Sequence, residues 1–214
     1  MTGSRLTARL RFVRRGDDRG SMIPLVLGFF VLAIQTGEKD LGMGIIARHF
    51  HAGDGHQTHT RIVDSKPHQF GNVVSVDEVA GTRINQAQIG SCANGRYEDI
   101  EIAARMLKGR KVAKGVRFLI SPASQQVYLQ CLKAGLIEQL VESGAQVITP
   151  GCGICQPKVG FLSDGEVCIT ATTRNFKGRK GSQKADIYLG GPLTVTAAAV
   201  AGQLANPRQV FDEL

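Results

Sequence analysis

From Gly71 onward short apolar runs alternate with stretches of helical period, and nothing else in the sequence restricts the fold as strongly. Ile84-Asn-Gln-Ala-Gln-Ile89 reads as a strand, and after a Gly/Ser/Asn turn Ile100, Ala103, Ala104 and Leu107 recur at i, i+3, i+4 and i+7, the stripe of an amphipathic helix. Glu98, Asp99 and Glu101 in its first turn, and Lys108, Arg110 and Lys111 around Gly109, complement the helix dipole at both ends. Val116-Arg-Phe-Leu-Ile120 predicts a second strand and Ser124 the N-cap of a second helix, whose apolar positions Leu132, Leu136, Ile137, Leu140 and Val141 are interrupted at Gly135. Gln146-Val-Ile-Thr149, Val167-Cys-Ile-Thr-Ala171 and Asp186-Ile-Tyr-Leu189 predict three further strands. Pro192 then opens a helix rich in small residues through Ala197, Ala198, Ala199 and Val200. Such alternation implies an α/β fold, a mostly parallel sheet with helices on its faces in three α/β/α layers.

A parallel sheet gathers the loops that follow its strands along one carboxyl edge, where ligands bind. Three such loops carry chemistry. Gly90-Ser-Cys-Ala-Asn94 follows the first strand, Thr149-Pro-Gly-Cys-Gly-Ile-Cys155 the third, and Thr172-Thr-Arg-Asn-Phe-Lys-Gly-Arg-Lys-Gly181 the fourth. Cys92 falls between a strand end and a helix start, where the positive end of the helix dipole favours a thiolate. Four thiolates close the coordination of a zinc ion or an iron-sulfur cluster, whereas three leave one position open to a substrate, as catalysis requires. Cys92, Cys152 and Cys155 make three. Arg174 and Arg179 offer planar guanidinium forks suited to carboxylates. Cys131 and Cys168 sit in apolar runs and read as inert core residues.

The formal charge of +8 suggests nucleic acid until it is located: six arginines against Asp17 and Asp18 within residues 1–20 account for half of it. The remainder suits an anion site, and no nucleic-acid partner is expected. Five cysteines, an odd number, do not make a secreted disulfide framework and point to a reducing, cytoplasmic compartment. Residues 1–36 form a basic plus hydrophobic segment. Its uncharged stretch 20–37 resembles a signal or membrane anchor, although its strongly apolar part is shorter than the ~20 residues of a comfortable span. A buried helix, a misassigned start and a gene fusion are the alternatives, and anchoring is not the favoured reading. All five histidines fall in the polar segment 37–70, as His49, His51, His56, His59 and His68; without helical or strand period to hold their rings, they read as linker rather than metal ligands. The regular domain is therefore 71–214.

Taken together, Asn72-Val-Val-Ser-Val-Asp-Glu-Val-Ala-Gly81, Ile89-Gly-Ser-Cys-Ala-Asn-Gly-Arg96, Pro150-Gly-Cys-Gly-Ile-Cys155, Gly165-Glu-Val167 and Arg174-Asn-Phe-Lys-Gly-Arg179 resemble the aconitase family. The resemblance is strongest to the large subunits of 3-isopropylmalate dehydratase and bacterial-type homoaconitase, and covers about two thirds of the chain. It implies the cluster-binding third α/β/α domain, a 4Fe-4S cluster on Cys92, Cys152 and Cys155, and substrate-carboxylate contacts at Arg174 and Arg179. It also implies hydro-lyase chemistry on a hydroxy di- or tricarboxylic acid, a small swivel-domain subunit as partner, and a place in leucine biosynthesis. Thr173 stands where the family usually has asparagine, Ala93 where threonine is common, and Gln156-Pro157 where Leu-Gly is usual; none of these removes a ligand. The family's acid/base residues have no counterpart in residues 1–70, so catalytic residues are unassigned. The expected function is a partial large subunit. The competing functions are a non-catalytic remnant or fusion, and a thiol redox protein using Cys152 and Cys155 as a dithiol.

Overall fold

The computed structural model describes residues 61–63 and 73–211; the hydrophobic stretch 20–37 and all five histidines lie outside the described residues. Among the described residues no helix is long and apolar enough to cross a membrane. The strands are β1 (Arg61–Val63), β2 (Val73–Ser75), β3 (Gln86–Gly90), β4 (Arg117–Ser121), β5 (Gln146–Val147), β6 (Val167–Thr170) and β7 (Asp186–Leu189). They form one sheet in the order β2-β1-β7-β6-β3-β4-β5. The five strands from β7 to β5 are parallel, and β1 and β2 add an antiparallel pair beside β7. Strand β1 falls within the segment whose composition reads as linker, where three residues are too few to show an alternation.

The helices are α1 (Ser91–Asn94), α2 (Tyr97–Leu107), α3 (Gln125–Lys133), α4 (Leu136–Glu142), α5 (Pro192–Ala201) and α6 (Pro207–Val210). The expected stripe of α2 is its buried face: Ile100, Ala103, Ala104 and Leu107 have no exposed surface. They meet Ala87, Ile89, Phe118, Ile120, Ile169 and Tyr188, which the parallel register places on one side of the sheet. Ser124 Oγ accepts from Val127 N at 3.2 Å as the N-cap of α3. Gly135, at φ +73°, separates α3 from α4 and resets the helical phase. Each helix then buries its own residues, Cys131 in α3 and Ile137 and Leu140 in α4, while Leu132 and Val141 stay exposed. Burying a side chain such as Ile100 contributes roughly 2 kcal/mol relative to leaving it in water.

Strand order reverses between β3 and β6. From β3 the chain builds outward through α2, β4, α3, α4 and β5, then returns to the other edge of β3 and builds the opposite way through β6 and β7. Right-handed crossovers that travel in opposite directions lie on opposite faces of a sheet. Helices α2, α3 and α4 accordingly share the apolar face with α5, and the connections 148–166 and 171–185 cover the other. That second face is polar: Gln86, Gln88 and Thr170 are fully buried on it, beside an apolar cluster of Leu162, Cys168, Ala185 and Ile187.

At the end of β3 the backbone of Gly90 passes so close to β4 that a Cβ would lie 2.0 Å from the Ser121 carbonyl oxygen, and its φ of +126° is one that L side chains rarely adopt. Gly109, with φ +73°, has open space around it. Gly90→Ala is expected to cost about 3 kcal/mol or more, and Gly109→Ala about 1 kcal/mol, in urea unfolding. Equal costs would mean that the close approach is not rigid.

Candidate functional site

The reversal between β3 and β6 is a topological switch point, the place on an open α/β sheet where two outgoing loops part and leave a crevice. The loop after β3 turns at Ser91, whose φ of +61° is left-handed, a conformation that costs a non-glycine residue about 1–2 kcal/mol. Cys92 follows on the short helix α1 with its thiol exposed. Asn94, buried, donates from Nδ2 to the Ala171 carbonyl at 2.5 Å, and Ala171 N donates to the Gln88 carbonyl at 2.8 Å. The first bond joins the loop after β3 to the loop after β6, and the second ties the latter to strand β3 itself.

The segment after β5 bends at Pro150 and closes a 3-10 turn over Gly153–Cys155, with Ile154 fully buried beneath it. Cys152 is exposed and Cys155 half-buried, and Cys155 Sγ lies 2.8 Å from Ser91 Oγ. A residue adjoining Cys92 therefore touches Cys155 across 64 positions of sequence. Among the described residues no three His, Cys, Asp or Glu side chains stand close enough to hold one ion. The structure thus brings the turns of Cys92 and Cys155 together without closing the three thiols into a ligand set.

The loop after β6 begins with a hydroxyl pair, Thr170 Oγ1 and Thr172 Oγ1, 3.0 Å apart. Arg174 is exposed, Asn175 is buried, and Arg179 is half-buried with its guanidinium 5.4 Å from the centroid of the Phe176 ring. Lys180, which nothing in the sequence marks as a site residue, is 1% exposed. Its Nζ donates to the Ile154 carbonyl at 2.6 Å and to Gln88 Oε1. Burial holds its ammonium below the ordinary lysine range, partly offset by nearby thiols. A lysine in the run Lys177-Gly-Arg-Lys180 reads as solvated surface; only the polar residue at position 88, inside a strand, hinted at a buried partner.

From the cysteine turn the chain returns to the amino ends of the strands, where Glu166 takes a bidentate pair of hydrogen bonds from Arg117 Nη1 and Nη2, each 2.8 Å. Arg117 Nε also donates to Gln86 Oε1 at 2.9 Å, and Gln86 Nε2 donates to the Gly160 carbonyl at 2.9 Å. The Arg117 guanidinium keeps the Glu166 carboxyl below its usual range. Cys168 is completely buried and burial pushes its thiol up to about 11, while burial also raises Cys131. Neither thiol faces the carboxyl edge loops as an available nucleophile.

A mostly parallel α/β sheet with thiol-bearing loops near its switch point and an arginine loop beside them is an aconitase-like α/β architecture. The chain belongs to the aconitase family: the model of the family described as Aconitase family (aconitate hydratase) matches residues 47–202. The large subunit 2 of 3-isopropylmalate dehydratase from Archaeoglobus fulgidus is 54% identical over 148 residues, 69% of this chain and 36% of that protein. The corresponding large subunit from Mycolicibacterium smegmatis is 49% identical, covering 65% of this chain and 33% of its own length. The large subunit of homoaconitase from Thermus thermophilus is 46% identical, covering 70% and 36%. The chain thus spans about a third of the length of the curated relatives it matches.

Exposure orders the thiols: in the metal-free chain a maleimide is expected to modify Cys92 and Cys152 first, Cys155 more slowly, and Cys131 and Cys168 only on unfolding, as read by peptide mass spectrometry. Early modification of Cys168 would contradict the closed loop layer. Glu166 gives a pH dependence. Its folded carboxyl is depressed, so the pair's contribution is fully present above the ordinary carboxylate range and is lost as pH falls through the depressed value. Glu166→Gln should lower stability by about 1 kcal/mol near neutrality, and urea unfolding should show the gap to wild type closing as pH falls through and below the ordinary carboxylate range.

Proposed function

We propose that residues 71–214 form the cluster-bearing domain of an aconitase-family hydro-lyase of the 3-isopropylmalate dehydratase type. Its ligands are Cys92, Cys152 and Cys155, holding a 4Fe-4S cluster. Arg174 and Arg179 bind carboxylates of a hydroxy di- or tricarboxylic acid. The observation that carries this reading is the contact of Ser91 with Cys155 at 2.8 Å, which joins the turns of two distant cysteines at the switch point, beside the loop of both arginines. The donor set fits the group. Residues 90–96 and 149–160 hold the three thiols and no histidine, aspartate or glutamate, a soft set suited to iron-sulfur or zinc rather than to hard cations. Three thiols rather than four leave one metal site for substrate.

When bound, such a cluster supplies a Lewis-acidic iron that polarises a substrate hydroxyl as a leaving group. The chain's own residues bind and orient. The Arg179 guanidinium lies over the Phe176 ring, which limits its rotation and presents its fork to a carboxylate in a defined plane. Arg174, exposed on the same loop, offers a second fork to a further carboxylate, and two such contacts fix the orientation of a dicarboxylate. A small subunit is the proposed partner, since the relatives are named as large subunits.

The full chain, reconstituted with iron and sulfide without oxygen, should take up about four irons and gain broad visible absorbance, and Cys152→Ser should lose both. A colourless, iron-free wild type would overturn the proposal. Arg179→Lys should leave iron content unchanged while weakening substrate binding about tenfold or more in the complex with a small subunit, because a point charge replaces the planar fork.

A further inference from the structure

Lys180 is the largest polar side chain sealed inside the described domain, and no step of hydro-lyase chemistry calls on it. Its position joins four residues. Its side chain reaches the carbonyl of Ile154, the residue between the two cysteines of the 3-10 turn, and Oε1 of Gln88 in the central strand β3. Its backbone carbonyl accepts from Leu162 N at 2.8 Å, and Arg179 precedes it directly in the chain. Gln88 is held in turn by Thr170 Oγ1 at 3.3 Å, at the end of β6. A buried amine with only two acceptors is costly, and such a group is retained where it fixes one arrangement of its neighbours.

We propose that Lys180 is a positioning residue that couples the arginine loop to the cysteine turn, so that Arg179 and the pair Cys152/Cys155 hold a fixed relation through one side chain anchored on β3. The role rests on the reading of 152–155 as the metal-binding turn. Without the Nζ donor the Ile154 carbonyl loses its bond, the 3-10 turn loses its tie to the sheet, and the arginine loop loses its inner anchor. Lys180→Met keeps most of the length of the side chain and removes the donor; Lys180→Arg keeps donors.

The test has two readouts on the full chain. In the metal-free protein, hydrogen exchange at the amides of Cys155 and Val159, which bond the carbonyls of Cys152 and Gly153, should quicken about tenfold in Lys180→Met, while strand amides of Ile89 and Ile120 are unchanged. Lys180→Arg should recover the wild-type rate. After anaerobic reconstitution, Lys180→Met should lose iron to a chelator faster by a similar factor. Turn amides that exchange at the wild-type rate, or that quicken only in step with the strand amides, would make Lys180 an ordinary core residue and overturn the role. If Lys180→Met does not fold, Lys180→Gln, whose donor stops one atom short of Nζ and so does not reach the Ile154 carbonyl, is read at the same amides against the same two outcomes. A wild type that binds no iron would remove the cluster reading alone, because the exchange measurement needs no metal.

Discussion

A polar side chain buried on a sheet must find a hydrogen-bond partner or cost a few kcal/mol. Gln86, Gln88 and Thr170 impose that condition on one whole face of this domain. The backbone within a helix cannot meet it, because its groups are already paired along its own axis. Irregular chain can. The carbonyl of Gly160 and the amine of Lys180 both come from connections; the first accepts from Gln86 Nε2 and the second donates to Gln88 Oε1, leaving Gln88 Nε2 as the one side-chain group of this pair without a partner among the described residues. The two long connections lie flat on the sheet for this reason, and the cysteine turn and arginine loop are parts of them.

The apolar face could be read from sequence because its signal is local. Ile100, Ala103, Ala104 and Leu107 announce one buried stripe within two turns of helix, and the flanking charges mark its ends. The loop layer could not be read in the same way. Its core is made of glutamine, threonine and lysine, residue types that signal solvent unless their partners are known, and those partners are 26 to 92 residues away. The same reason explains α3 and α4: Leu132 and Val141 belong to one apolar period on paper, but the left-handed Gly135 turns the second helix to a new phase.

The site was legible as a set of turns and only partly as a geometry. The thiols and arginines fall after β3, β5 and β6, where a parallel sheet gathers its loops, and that much followed from chain order. The side chain that meets Cys155 is Ser91, and no spacing rule selects a serine in a strained turn as the link between two cysteine loops. The aromatic support of Arg179 by Phe176 was likewise hidden, although the two are three positions apart, because a ring within a basic loop has no periodicity to interpret.

The return of the chain to β3 has a consequence for folding order. Strands β3, β4 and β5 with their helices are joined by neighbours in sequence, so this half can collapse early. Strand β6 must then find the free edge of β3 across 82 residues, a distant pairing that is slow relative to local ones. Cys92, Cys152 and Cys155 all precede β6, but the arginines and the buried lysine follow it. A growing chain therefore acquires Cys92, Cys152 and Cys155 before it acquires the lysine that ties the turn of Cys152 and Cys155 to β3, and during that interval the turn lacks its inner anchor.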